Sequence, residues 1–194
     1  MKNQNRLFTG LLFSILSISA TAQLKLPVTN NDLRINLQKV VADFSNNLNS
    51  IKGDVLASNP QTIEYASTLT YTGAEKNIIT EFVDKESVFS WQAVLITAED
   101  FETAVKKYKW LTAQLKIMTL KFDDYSFSLS GKYQEADERK KFSTSQYVLT
   151  PAALSLPKLK IEASIQFYFP DWKVMLTVFQ KEREDTDQPT TSEN

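Results

Sequence analysis

Any chemistry this chain performs falls to carboxylate, lysine, tyrosine and serine side chains, because histidine and cysteine are both missing from its 194 residues. Catalysis through Ser-His-Asp or Cys-His pairs is therefore excluded. The same absence removes zinc sites of the usual thiolate and imidazole kind, haem held by His or Cys, and iron–sulfur clusters bound through Cys, so no cofactor is expected. With four glycines in the chain there is no GxGxxG and no GxxxxGK[ST], hence no phosphate-cradling loop of the known kinds. Paired acids could serve as general acid and base, as in glycoside hydrolysis, and Glu99, Asp100, Asp123, Asp124, Glu135, Asp137 and Glu138 are available. Each has a plainer use. Glu99 and Asp100 suit a helix start, Asp123-Asp124 interrupts a strand pattern, and the other three sit in a charged loop. Ser155-Leu156-Pro157-Lys158 spells S-x-x-K, the nucleophile-and-base spacing of penicillin-recognising enzymes. That chemistry needs both side chains on one helical turn, which Pro157 opposes. No stretch has the alternating oxygen ligands of a calcium loop.

Binding is better represented than catalysis. Phe101, Ala104, Val105, Tyr108, Leu111, Leu115 and Met118 recur at helical spacing, with Lys106, Lys107, Lys109 and Lys116 largely on the water side. Trp110 and Ile117 stand seven residues apart, nearly aligned, in a second strip. Trp110 lies roughly 200° around the helix from Tyr108, so one flat sheet does not easily bury both. Trp110 and Ile117, with Lys106 beside them, are therefore a candidate interaction surface. Its occupant is another part of the same chain, a partner protein or second copy, or a small ligand in a groove. Aromatic residues gather again at Phe167, Tyr168, Phe169 and Trp172, where Tyr168 and Trp172 either border a pocket or pack across strands.

Two helices and a series of strands must position these residues. Leu33, Leu37, Val40, Val41, Phe44, Leu48 and Ile51 predict a first amphipathic helix, with Thr29 to cap it and Gly53 to stop it. From Ile63 to Thr72 the period changes to two, the mark of a half-buried strand; Gly73-Ala74 makes a turn, Lys76 to Val83 reads as a second strand and Asp84-Lys85-Glu86 as another turn. Ser87 to Ile96 is apolar in both alternating sets, as in a strand covered on both faces. Thr97 to Asp100 caps the lysine-rich helix. Four further alternating stretches follow, about Leu120 to Tyr133, Phe142 to Leu149, Leu159 to Phe169 and Trp172 to Gln180, the last two joined as a hairpin at Pro170-Asp171. The fold class is α+β: an antiparallel sheet with two amphipathic helices on one face, built from what reads as a duplicated α-β-β-β unit.

The first 22 residues hold Lys2 and Arg6, an apolar run from Leu7 to Ala20, and the triplet Ala20-Thr21-Ala22. This is the layout of a signal peptide cut between Ala22 and Gln23. The run, about fourteen residues, is short of the roughly twenty needed to span a bilayer, and no longer apolar run follows. A chain exported to the periplasm or beyond, with no thiol for a lipid anchor or a disulfide, depends on one buried core in residues 23–181. Residues 182–194 are acidic and polar, the composition of a disordered tail. Beyond the signal, 20 basic side chains face 23 acidic ones, which leaves no electrostatic footprint for nucleic acid. The expectation is an exported, soluble, non-enzymatic binding or interaction protein. The alternatives are a carboxylate-based hydrolase of glycans or cell-envelope polymers, and a carrier of a small apolar ligand.

Overall fold

The computed structural model describes residues 30–83, 87–122, 124–156 and 158–180. The signal segment, Thr29, the Asp84-Lys85-Glu86 turn, Asp123, Pro157 and the acidic tail lie outside them. Asn30 caps the first helix, α1 (Asn31–Asp43): its side chain accepts a hydrogen bond from the Leu33 amide at 2.8 Å. Leu33, Leu37, Val40 and Val41 are buried, as their spacing predicts. The apolar spacing continues to Ile51, yet the helix stops at Asp43. Asp43 accepts hydrogen bonds from the Ser50 amide and the Asn46 side chain, and Asn47 and Leu48 turn left-handed at φ 55° and 58°. Side chains of this type offer the backbone an alternative to the helix. Leu48 and Ile51 stay buried through the turn rather than through a helical stripe.

Nine strands form one antiparallel sheet: β1 (Lys52–Ser58), β2 (Thr62–Ser67), β3 (Lys76–Phe82), β4 (Val88–Ala98), β5 (Thr119–Phe122), β6 (Tyr125–Gly131), β7 (Phe142–Thr150), β8 (Leu159–Tyr168) and β9 (Asp171–Gln180). The second helix, α2 (Phe101–Ile117), separates β4 from β5. In space the order is β1-β2-β3-β4-β9-β8-β7-β6-β5, so two meanders meet where β4 and β9 pair. Mainly sheet with two helices, this is an α+β fold. Strand β1 has no counterpart in the sequence reading, because an edge strand exposed from Asp54 onward carries no alternation to detect. Strand β2 ends at Ser67, short of Thr72. The Ser67 hydroxyl donates to the Leu69 carbonyl and accepts from Trp91 Nε1 at 3.2 Å, which turns the chain out of the sheet.

The expectation that β4 is covered on both faces is corrected. Phe89, Trp91, Ala93 and Leu95 are buried, whereas Val88, Ser90, Gln92, Val94 and Ile96 are only partly so. The register explains which face wins. Tyr108 of α2 meets Ser145, and Ser145 pairs across the strands through Ala163 and Leu176 to Ala93, so α2 lies over the buried set. The β8–β9 hairpin forms as expected, with Ile161, Ala163 and Ile165 opposite Val178, Leu176 and Val174 in the same core.

Helix α1 packs on β5, where Gln38 accepts from the Lys121 amide at 3.0 Å on an edge strand. Its C-terminal turn runs straight into β1, the opposite edge. Among the described residues no helix is long and apolar enough to cross a membrane.

Candidate functional site

The cleft beside α2 begins at one glycine. Gly131 ends β6 and pairs in register with Tyr147 of β7. A Cβ at 131 would run into the Gln146 carbonyl and lie 2.6 Å from the Tyr147 ring. Glycine thus lets that ring lie across β6. The Tyr147 hydroxyl donates to the Thr112 carbonyl of α2 at 3.3 Å, which fixes the ring beneath the helix. Deeper in, Tyr108 donates to the Gln134 carbonyl at 3.0 Å and shares a 2.7 Å hydrogen bond with Ser145, while Ser145 accepts from the Gln134 amide. This network pins the chain just after Tyr133, whose ring centroid is 5.9 Å from that of Tyr108. Burial pushes the Tyr108 phenol up to about 12 and raises Tyr133 and Tyr147 as well, so all three are neutral near pH 7.

Between the rings and the helix lies a depression of about 360 Å³, roofed by Lys109, Thr112, Ala113 and Lys116 and floored by Gly131, Tyr133 and Tyr147. Lys106, Lys109, Ala113 and Lys116 form one exposed ridge along α2. The ion pair found among the described residues joins Arg139 to Asp137 at 3.0 Å and leaves the ridge unpaired.

The residues singled out from the sequence fall around this cleft rather than in it. Trp110 is half-buried against the core, with Lys107 Nζ 4.5 Å above its ring, and burial lowers the Lys107 pKa. Ile117 is half-buried in the last turn of α2, and Lys106 is exposed on the ridge. At the β8–β9 hairpin Tyr168 is 45 % exposed, with Lys173 Nζ 5.3 Å from its ring. Trp172 is buried, 4.8 Å from Phe101 and 5.1 Å from Phe167 between ring centroids, so it ties the hairpin to the start of α2 instead of offering contact area. Gly131, Tyr133 and Tyr147 escape the sequence reading, although a lone glycine inside a strand pattern is a signal of close approach.

Two of the candidate acids, Asp100 and Asp137, are employed structurally. Asp100 caps α2, and the Thr103 amide it binds at 2.8 Å holds its carboxyl below the ordinary value. Arg139 does the same for Asp137 through their hydrogen-bonded pair. Ser155 lies in a turn, not a helix. Among the described residues no group of three acids could hold a metal ion.

No protein-family model, curated protein or solved structure matches this chain. What can be said of the site comes from its own geometry. Two other depressions compare with the cleft. One, about 770 Å³, sets Phe82, Val88 and Phe179 around the hydroxyls and amide of Thr80, Ser90, Gln92 and Thr177 on the half-exposed sheet face. The other, about 330 Å³, gathers Phe122, Tyr125, Phe127 and Leu154 near the β5 edge. Of these three, the cleft beside α2 joins an aromatic floor to a row of charges.

Proposed function

We propose that this is an exported, soluble, non-enzymatic binding protein that engages its target along α2 and in the tyrosine cleft beneath it. The observation that carries the reading is the unpaired lysine ridge directly above that cleft. Lys106 has an acidic neighbour at the helix start, since its charge helps lower the Asp100 carboxyl, whereas Lys109 stands three residues from Lys106, a like-charge spacing that costs a helix a few tenths of a kcal/mol. Lys116 alone has a helix-terminal use against the macrodipole. Trp110 and Ile117 flank the ridge and extend the apolar part of the surface toward a partner protein or a second copy.

Two of the acids that a carboxylate hydrolase could use, Asp100 and Asp137, are spent on a cap and an ion pair. The carrier fares no better, since Trp91, Tyr108, Leu111 and Leu115 fill the space between α2 and the sheet. We also infer a tandem duplication with both helices on one face. Each half is a helix followed by a meander, the last strands of the halves pair antiparallel, and Asn30 at the start of α1 bonds Gln114 of α2.

Native mass spectrometry on protein purified from its own exported fraction tests the whole reading. The expected chain begins at Gln23 and carries added mass from a partner, a second copy or a ligand. The added mass is lost in the double variant Lys109→Glu/Lys116→Glu. A chain retaining residues 1–22 overturns export, and added mass kept by the variant moves the site elsewhere.

A further inference from the structure

We infer that the cleft beneath α2 takes a ring-bearing organic anion: a flat or saturated ring lying on Tyr147 and Tyr133, with an acidic group meeting Lys109 and Lys116. The inference rests on the reading of the cleft as the binding site and adds the chemistry of what binds there.

The polar atoms of the cleft are already committed within the chain. The Tyr147 hydroxyl donates to the Thr112 carbonyl, and the Thr112 hydroxyl donates to the Lys109 carbonyl at 2.9 Å. The Tyr133 phenol is raised by burial and by the Glu135 carboxylate, so it stays protonated near pH 7. What remains for a ligand is the faces of two phenol rings and two ammonium groups without an acidic partner among the described residues. Ring faces bury a planar or puckered ring, whereas ammonium groups require negative charge. No acid lines the cleft to oppose that charge.

The geometry also limits size. Lys109 and Lys116 are seven residues apart on one helix face, about 10 Å along its axis, with the small side chain of Ala113 between them. Both flexible stems can therefore converge on one anionic group above Ala113. A volume of about 360 Å³ lies at the low end of small-molecule sites, room for one or two fused rings rather than an extended polymer. The floor is preorganised, because Gly131 admits the Tyr147 ring and the Tyr108–Ser145–Gln134 network fixes the chain beside Tyr133. Little ordering is left to be done at binding.

The probe is 8-anilinonaphthalene-1-sulfonate, an aromatic sulfonate whose fluorescence rises when it leaves water, titrated into the exported chain. The inference expects Lys109→Ala/Lys116→Ala to weaken binding about tenfold, and Tyr133→Leu to weaken it without unfolding the protein. It expects Leu154→Ser, in the apolar depression near β5, to leave binding unchanged, and added salt to weaken the wild type more than the double variant. The neutral analogue N-phenyl-1-naphthylamine should bind the wild type far more weakly. Equal affinity in the lysine variant, or equal affinity for the neutral analogue, overturns the inference. If that happens while the native added mass is still lost in Lys109→Glu/Lys116→Glu, the ligand chemistry is wrong and the site stands. If the native mass also persists, the site itself falls.

Discussion

Tyr108 joins three parts of the molecule through one hydroxyl: helix α2, the chain after β6, and Ser145 on β7. Its phenol is raised from 10.0 to about 12, chiefly by burial. A raised phenol binds its proton more tightly folded than unfolded. The stability it contributes is complete below pH 10 and is lost as pH climbs through 12, a change of roughly 3 kcal/mol. Urea unfolding at pH 7 and across pH 10 to 12 should therefore show a steep alkaline loss in the wild type. In Tyr108→Phe the loss should be shallower, with Tyr147 and Tyr133 supplying the rest. At pH 7 the variant should be less stable by about 1–3 kcal/mol, because it leaves the Gln134 carbonyl without that donor. Identical alkaline slopes would show that another group carries the effect. Tyr108 was legible in the sequence as a core residue on the apolar stripe of the lysine-rich helix, but its hydroxyl partners were not. They sit 26 and 37 residues away, and nothing in local spacing announces them.

Among the elements, α2 was the easiest to read, since its stripe and its Asp100 cap are both local signals. The β6–β7 pair shows the opposite case. Periodicity gave β7, but it read Leu120 to Tyr133 as one stretch where the structure has two antiparallel strands, β5 and β6, and the close approach of Tyr147 to Gly131 depends on register, which sequence spacing alone leaves open. Gly131→Ala should cost about 1–3 kcal/mol through overpacking and displace the Tyr147 ring. Thermal unfolding would read the first effect and loss of the sulfonate probe's fluorescence the second. An alanine variant with wild-type stability and wild-type probe binding would show that the glycine has no such role. The end of α1 was misread for a related reason. Leu48 and Ile51 are buried as the apolar pattern requires, but asparagine and aspartate side chains redirect the backbone before it reaches them.

At the scale of the whole molecule, the sequence shows a helix followed by strands twice over, while the β4–β9 pairing that joins the two meanders links residues more than seventy positions apart and was invisible in the sequence. That pairing gives one nine-strand sheet, with α1 bonded to its β5 edge and the ridge of α2 exposed. The central claim is that this outward ridge is where the target sits. Lysine acetylation footprinting tests it most directly, comparing the protein in its native exported fraction with the purified chain. Protection should fall on Lys106, Lys109 and Lys116, while the exposed Lys76 and Lys121 react equally in both samples. Protection confined to Lys76, Lys121 or another surface, with the ridge fully reactive, would contradict it.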